Sequence, residues 1–286
     1  MDILKAVILG VIQGLTEFLP VSSTAHLTIA GKFMGMIDPL NPEHWTASIA
    51  VIQLGTLVAV FAYFIKEVYK IIKDFFADLW LRITGKAPEK MSGDAKMGWL
   101  IIIGTVPVSL IGLFLRKVIE GTLTKNLYVI AGSMITLAVI LWIAEIVGKR
   151  KRELEQITVW DSLFIGFAEA LALIPGSSRS GTTITGGLFV GLTRETAAKF
   201  SFLLSLPAVL ASGLLELKES LKELPHAPIS TQHLIIATVV SGIVGYISIW
   251  FLLNYLKKHS TGIFIVYRII IGVLILILLS TQVITN

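Results

Sequence analysis

Hydrophobic residues occur along the chain in long runs that are separated by short polar segments. A helix that crosses a membrane needs about 20 mostly apolar residues, and six runs have a suitable length. They are residues 47–65, 99–115, 127–147, 197–217, 233–256 and 263–279. The pattern therefore predicts six transmembrane helices.

Two further apolar segments, residues 3–30 and 163–191, are interrupted near the middle by polar residues and a proline, Pro20 or Pro175. Proline removes a backbone donor and clashes with the preceding turn, so each segment should split into two half-helices. Non-helical backbone inside a membrane persists only where it is buried in protein or lines a wet cavity. Both segments are therefore predicted to be re-entrant helical hairpins, with complete spans as the alternative.

The two interrupted segments resemble each other. Aligning their prolines pairs Ser22 with Ser177 and Ser23 with Ser178. Each segment precedes three spans, and this odd number predicts that the second repeat, residues 148–286, is inverted relative to the first, residues 1–147. Paired broken helices in an inverted repeat indicate a site near the bilayer midplane. The expected fold is one all-α polytopic membrane domain.

Composition supports this fold class. Of the 286 residues, 55% are hydrophobic and 15% are charged, whereas soluble domains have about 25% charged residues. The mean hydropathy is +0.82. This composition excludes a disordered chain, and the absence of cysteine excludes disulfides and thiolate metal sites.

The basic residues that give the net charge of +5 lie in short loops between apolar runs. This placement predicts the orientation of the chain in the membrane and indicates no nucleic-acid partner. Most of the 24 Lys and Arg residues lie in one set of loops. Because cytoplasmic loops are enriched in these residues, both termini are predicted to be external. The first hairpin then enters from the external face and the second from the cytoplasm. Arg268, in the last span, is expected to snorkel to the interface.

The first hairpin carries a cluster of reactive side chains. Gln13 and Glu17 are four residues apart and share a helical face. The second half-helix then begins with Ser22 as a natural N-cap, followed by Ser23, Thr24 and His26. An ionisable residue inside a membrane costs about 2.5–3.5 kcal/mol, so Glu17 and His26 indicate a functional site. Ser22 and Thr24 fit either phosphate binding or helix packing.

The second hairpin adds a basic residue, Arg179, in a setting rich in serine and glycine. Glycine allows close backbone approach, and a half-helix N-terminus binds anions. The arginine fork matches phosphate oxygens. The predicted phosphate-binding residues here are Gly176, Ser177, Ser178, Ser180, Gly181 and Thr183. The alternative is that Arg179 forms a structural ion pair with Glu17 or Glu169. Glu169 is either that partner or a helix-packing residue.

Together the hairpins offer an oxyanion site beside a hydroxyl, a carboxylate and an imidazole. Phosphoryl transfer needs positioning and charge stabilisation, and a serine nucleophile needs a neighbouring base. A transporter or flippase for an anion or lipid phosphate is the alternative, because inverted repeats with broken helices are typical of transporters. The reactive groups of the first hairpin have no counterparts in the second, which favours chemistry over transport.

The run QGLTEFLPVSSTAH at residues 13–26 and the run PGSSRSG at residues 175–181 closely resemble the signatures of the undecaprenyl-diphosphatase family, of the bacitracin-resistance type. Residues 52–55 and 200–207 also match. The resemblance implies a phosphatase of the bacterial inner membrane, with its site open to the external face. It implies hydrolysis of undecaprenyl diphosphate and other prenyl diphosphates, which recycles the lipid carrier of peptidoglycan synthesis and gives bacitracin resistance. It further implies a divalent cation, Mg²⁺ or Ca²⁺, and homodimers.

The resemblance also implies roles for individual residues. The acidic motif of the family falls on Gln13 and Glu17 as metal ligands, the serine nucleophile on Ser23, the histidine on His26 and the essential arginine on Arg179. Gln13 departs from the glutamate of many relatives, so Glu17 would contribute more to metal binding. Either His26 or Glu17 would accept the proton of Ser23. Attack by a water activated at Glu17 would use the same residues.

Overall fold

The computed structural model describes residues 2–37, 42–86, 90–115, 126–223 and 230–284. These residues form helices joined by short connections, and the one β-bridge among them is an isolated pair between Arg152 and Leu192. The helices are α1 (Ile3–Phe18), α2 (Ser23–Phe33), α3 (Pro42–Tyr63), α4 (Ile65–Ile83), α5 (Gly93–Phe114), α6 (Leu127–Val147), α7 (Val159–Ala170), α8 (Arg179–Phe189), α9 (Arg194–Glu223), α10 (Thr231–Leu256) and α11 (Gly262–Ser280). Two 3-10 turns occur at Leu154–Gln156 and Leu171–Leu173.

Six helices in the described part of the chain are long and apolar enough to cross a membrane. Their apolar stretches are His44–Tyr63, Gly93–Phe114, Leu127–Val147, Arg194–Leu214, Thr231–Leu256 and Gly262–Ser280. These are the six predicted spans, with ends shifted by a few residues. The prediction of a helical, multi-pass membrane protein is therefore confirmed.

Both interrupted segments contain two short helices. The first segment is split between Phe18 and Ser23, and the second leaves helical geometry after the turn at Leu171–Leu173 and resumes at Arg179. The second half-helices, α2 and α8, have 11 residues each. At a rise of 1.5 Å per residue, each is about 17 Å long, which is well short of the roughly 30 Å hydrocarbon core. Neither half-helix can cross a bilayer alone.

The half-helices α2 and α8 begin in the same way. Their N-cap residues, Ser22 and Ser178, adopt positive φ angles of 78° and 66°. Each cap side chain accepts a hydrogen bond from the N–H three residues later, at 3.4 Å from Ala25 and 3.2 Å from Gly181. A positive φ costs energy in a residue other than glycine, and such strain is concentrated at functional sites.

The shared cap corrects the sequence alignment of the two segments. The capping serine after Pro20 corresponds to Ser178, not to Ser177, because the second loop is one residue longer. Gly176 in this longer loop has a φ of 87°. A Cβ on this residue would lie 2.4 Å from the carbonyl oxygen of Ile130, so only glycine fits here. Ser23 therefore corresponds to Arg179, and each is the first residue of its half-helix.

Helix α4 was not predicted, because its charged residues placed it in a loop. It has 19 residues and presents an exposed apolar stripe at helical spacing, formed by Ile65, Tyr69, Ile72, Phe76, Trp80 and Ile83. On the opposite side, the Asp78 carboxylate accepts hydrogen bonds from Arg82 at 2.6 Å and from the Trp99 indole at 2.9 Å. The second bond fixes α4 against α5.

Helix packing brings the two interrupted segments together. Helix α1 packs mainly against α10, and α7 packs mainly against α5. Helix α8 contacts α6, α7, α9 and, more lightly, α1. The ring of Phe18 at the end of α1 packs edge-on against Phe202 of α9, with centroids 5.3 Å apart. The loop after α1 and the loop before α8 are therefore neighbours inside the bundle.

Candidate active site

The carboxylate of Glu17 is the centre of a polar cluster that joins three parts of the fold. It is 8% exposed. Its Oε2 atom accepts hydrogen bonds from Ser23 Oγ at 2.8 Å and from Gln13 Nε2 at 3.0 Å. Its Oε1 atom accepts from Gln53 Nε2 at 3.3 Å and from Arg179 Nη2. Four hydrogen-bond donors thus converge on this one carboxylate.

Arg179 of the second segment forms a salt bridge with Glu17 of the first. Its side chain is 20% exposed. Of the two predicted partners of Arg179, Glu17 makes the ion pair. Glu169 is 1% exposed, and neither of its carboxylate oxygens has a hydrogen-bond partner among the described residues. Glu169 is therefore a buried polar residue of α7 outside this ion pair.

Ser23 and His26 do not contact each other in the way that a serine–histidine pair would. The Nδ1 atom of His26 lies 2.7 Å from the carbonyl oxygen of Ser22, and Nε2 lies 2.7 Å from the Tyr267 hydroxyl. Because a carbonyl only accepts, Nδ1 carries the proton and Nε2 accepts from Tyr267. The two rings are also stacked, with an interplanar angle of 9°. Of the two predicted bases, Glu17 is the one in contact with Ser23.

Arg268 contradicts its sequence-based prediction. It is fully buried instead of snorkelling to the interface. Its Nη2 atom donates to the carbonyl oxygen of Ser177 at 2.8 Å and to that of Gly176 at 3.5 Å. Gly181 makes room for it, because a Cβ at that position would lie 2.7 Å from Arg268 Nη1. Arg268 thus holds the loop that precedes Arg179.

Sequence reasoning therefore missed the contribution of α11. Tyr267 contacts α2 of the first segment, while Arg268 contacts the loop of the second. An arginine inside an apolar run was the available signal, since such residues are costly in a membrane and usually functional. Because Arg268 is near the end of its apolar run, the sequence favoured snorkelling. The fold shows that this end of α11 lies beside the loops of both interrupted segments.

The remaining predicted residues differ in their surroundings. The Ser180 hydroxyl donates to the carbonyl oxygen of Leu19 at 3.2 Å, which links the two loops. Ser177 is fully buried, and its hydroxyl has no hydrogen-bond partner in the described structure. The Thr183 hydroxyl bonds to the Arg179 carbonyl oxygen at 2.7 Å and to Ser201 Oγ at 2.5 Å, contacts typical of helix packing. Thr24 is exposed in the first turn of α2.

The oxygen atoms at this site fit a cation that keeps water and phosphate as ligands. Among the described residues, no cluster of three or more His, Asp or Glu side chains could hold a metal ion. Gln13 Oε1 is buried without a hydrogen-bond partner, next to the Glu17 carboxylate. Mg²⁺ is commonly bound through one or two carboxylates plus substrate phosphates. Glu17 is the carboxylate here and Gln13 Oε1 is the unpartnered oxygen beside it, so a cation at this point would take most of its ligands from water and phosphate.

The six apolar helices and the Ser23–Glu17–Arg179 cluster define a polytopic helical membrane protein with the groups that phosphoryl transfer requires. The pattern of the family described as "Bacitracin resistance protein BacA" matches residues 6–274, and the chain belongs to this family.

Similar proteins carry a more specific name. The undecaprenyl-diphosphatase of Syntrophobacter fumaroxidans is 51% identical over 275 residues, covering 95% of each chain. That of Chloroherpeton thalassium is 49% identical over 287 residues, covering 98% of each chain. That of Chlorobaculum tepidum is 46% identical over 288 residues, again covering 98% of each. The likeness therefore extends over nearly the whole length of these proteins.

Proposed function

We propose that this chain hydrolyses undecaprenyl diphosphate to undecaprenyl phosphate and inorganic phosphate in the bacterial inner membrane. The family and the names of the relatives support this substrate. The observation that carries the chemistry is the contact between Ser23 Oγ and Glu17 Oε2, beside the guanidinium of Arg179. A protein that only binds or transports a phosphate does not need a hydroxyl paired with a carboxylate base.

In the proposed reaction, Ser23 is the nucleophile. Its oxygen bonds to the terminal phosphorus while its proton moves to Glu17 Oε2, which already accepts that hydrogen bond. The bond from the terminal phosphorus to the bridging oxygen breaks, and undecaprenyl phosphate leaves. The leaving undecaprenyl phosphate takes this proton from Glu17. Water then attacks the phosphoserine and gives a proton to Glu17, the bond between phosphorus and Ser23 Oγ breaks, and Glu17 returns the proton to the serine oxygen as phosphate is released.

Arg179 has two roles in this proposal. It neutralises the buried Glu17 carboxylate in the absence of substrate, and its guanidinium binds the terminal phosphate. When phosphate oxygens bind the guanidinium, they compete with the Glu17 carboxylate for this partner. Glu17 then keeps its contact with Ser23, from which it accepts the proton. The N-termini of α2 and α8, with Ser22 and Ser178 as caps, provide further N–H donors.

A divalent cation, Mg²⁺ or Ca²⁺, would be held by Glu17 and the free oxygen of Gln13. Its chemistry would be to offset the negative charge of the diphosphate. The predicted homodimer remains an expectation from the family resemblance.

We further propose that residues 3–30 and 163–191 are re-entrant hairpins of an inverted repeat, with the site open to the external face. Two observations support this arrangement. The half-helices are too short to span. The contacts are also exchanged between halves: α1 packs on α10, the second span of the other half, and α7 packs on α5, likewise the second span of the other half.

Phosphate release from undecaprenyl diphosphate by purified protein in detergent tests the function. We expect turnover by the wild type and a loss of at least about 100-fold in Glu17→Gln, which retains the shape but not the base. Glu195→Gln, at the cytoplasmic end of α9 and paired with Lys257, is the control and should keep its activity. Absence of turnover in folded wild-type protein would contradict the proposal and favour the transporter alternative.

The absence of cysteine makes topology directly measurable. Single cysteines at Lys149 and Lys218, both exposed, lie at opposite ends of the bundle in the proposed arrangement. An impermeant thiol reagent should label Lys218→Cys in intact cells and Lys149→Cys only after the membrane is opened. Labelling of Lys149→Cys from outside would overturn the proposed orientation.

A further inference from the structure

An apolar groove lies on the membrane-facing side of the second interrupted segment. Its walls come from α5, α6, α7 and α8, and its volume is about 690 Å³. Leu137 of α6, Phe167 of α7 and Phe189 of α8 are typical of its lining. Phe167 and Phe189 are exposed at the bundle surface, so the groove opens sideways towards lipid. We call it the lateral groove.

The inner end of the lateral groove meets the loop that carries the proposed phosphate-binding residues. Pro175, the residue before Gly176, lines the groove. Thr182 also lines it, and the Thr182 hydroxyl donates to the carbonyl oxygen of Arg179 at 3.0 Å. The lining of the groove therefore includes the first turn of α8, the helix that begins with Arg179.

The direction of α8 relates the groove to the site. Thr182, Gly186 and Phe189 all line the groove and follow Arg179 by three, seven and ten residues. Residues at these spacings share one side of a helix. A flexible apolar chain lying along this side of α8 would start at Arg179 and continue outwards to Phe189.

We propose that the lateral groove binds isoprene units of the substrate's prenyl tail that follow the first one. This inference rests on the proposed function, because the tail is placed by a diphosphate held at Arg179. The groove has the size of a pocket for a small ligand, so it holds part of a long tail while the rest stays in the bilayer. Contacts to such a remote part of the substrate supply binding energy that positions the reacting group.

Filling the groove with a bulky side chain tests this proposal. Leu137→Trp places an indole in the groove, whereas Val139→Trp places one on the same helix at a lipid-facing position outside the lining. We expect Leu137→Trp to lower kcat/KM for undecaprenyl diphosphate by at least about tenfold, the scale of hydrophobic-pocket discrimination. Its kcat/KM for the five-carbon dimethylallyl diphosphate should stay within about twofold of wild type. Val139→Trp should change neither value.

Equal loss with both substrates in Leu137→Trp, or no loss with the long one, would overturn the proposal. Ile140→Trp, from the same wall of the groove, repeats the test if the first variant does not fold. The C5 substrate also separates the two proposals. If the wild-type protein hydrolyses both substrates, the proposed function holds, independently of the kcat/KM values of the groove variants.

Photocrosslinking shows where the prenyl tail binds without requiring turnover. A farnesyl diphosphate analogue with a photoreactive group on its tail should label residues of α6 and α8 in the groove. Excess undecaprenyl phosphate should suppress this labelling, whereas phosphatidylglycerol should not. Labelling elsewhere in the bundle would contradict the groove assignment. Equal suppression by phosphatidylglycerol would mean that the groove holds any lipid chain, and this result would also overturn the proposal.

Discussion

Ser23 and Glu17 form a hydroxyl–carboxylate pair across the first helix interruption, with Ser23 Oγ donating to Glu17 Oε2 at 2.8 Å. The two residues belong to different helices, α1 and α2, and meet because the chain reverses around Pro20. The opposite oxygen of the same carboxylate accepts from Arg179. One buried carboxylate thus connects the proposed nucleophile with the proposed phosphate anchor.

Replacing Arg179 by Lys should lower kcat/KM by at least about 100-fold, as expected for loss of a charge-stabilising donor set. Lysine keeps the charge but cannot reproduce the planar fork. Arg194→Lys is a matched control, because Arg194 also forms a salt bridge with a carboxylate. Its partner is Glu145, near the C-terminal end of α6. Phosphate-release kinetics check the result. Equal losses in the two variants would mean that Arg179 acts only as an ion-pair partner.

Arg268 should be needed to keep the second loop in place. Arg268→Gln shortens the side chain and weakens the bonds to the carbonyl groups of Gly176 and Ser177. We expect kcat to fall by about tenfold or more, because small displacements of reacting groups are costly. Arg268→Lys should recover part of kcat, and Val266→Ala, at a lipid-facing position, should match wild type. A normal kcat in Arg268→Gln would contradict the positioning role.

Tyr267 and His26 should act as one unit. Tyr267→Phe removes the hydroxyl that bonds to His26 Nε2 at 2.7 Å. A single hydrogen bond is worth about 1 kcal/mol, so kcat/KM should fall by roughly threefold to tenfold. The effects of two substitutions that remove the same hydrogen bond do not add. The double variant Tyr267→Phe/His26→Gln should therefore have the kcat/KM of His26→Gln alone. A double-mutant cycle of kcat/KM measures this coupling, and additive losses would rule it out.

Glu169 should be dispensable for turnover, although it is acidic, buried and near the second loop. Neither carboxylate oxygen has a hydrogen-bond partner among the described residues. A buried amide costs less to desolvate than a buried charge. Glu169→Gln should therefore keep kcat within about threefold of wild type and leave the thermal midpoint unchanged or higher. A loss of kcat comparable to that of Glu17→Gln would assign Glu169 a chemical role.

The sequence was sufficient to predict the features that depend on local pattern. The six spans follow from run length, and the two interruptions follow from Pro20 and Pro175. The Ser22 N-cap was predicted from residue type, whereas the Ser178 N-cap was not. The alignment missed the extra residue at Gly176, because a positive φ is a property of the folded loop. Helix α4 was missed although its apolar residues recur every three or four positions, since its charges outweighed this signal.

Contacts between distant parts of the chain could not be predicted in the same way. Sequence reasoning placed Glu17, Ser23, His26 and Arg179 in one site but left the base open between His26 and Glu17. The choice between these two bases depends on Tyr267, which is 241 positions from His26 in the sequence. The Tyr267 hydroxyl bonds to the His26 ring, and this ring does not contact Ser23. Arg268 likewise acquires its partners only when α11 packs beside the second loop.

The kcat of Ser23→Ala tests whether Ser23 is the nucleophile. At saturating undecaprenyl diphosphate and Mg²⁺, we expect a loss of at least about 1,000-fold, because removing a nucleophile abolishes the covalent route. Ser248→Ala is the control and should retain wild-type kcat, because among the described residues this buried hydroxyl bonds only to the Val244 carbonyl oxygen of its own helix, at 2.8 Å. If Ser23→Ala keeps most of its kcat, the serine is not the nucleophile, and attack by water activated at Glu17 replaces it.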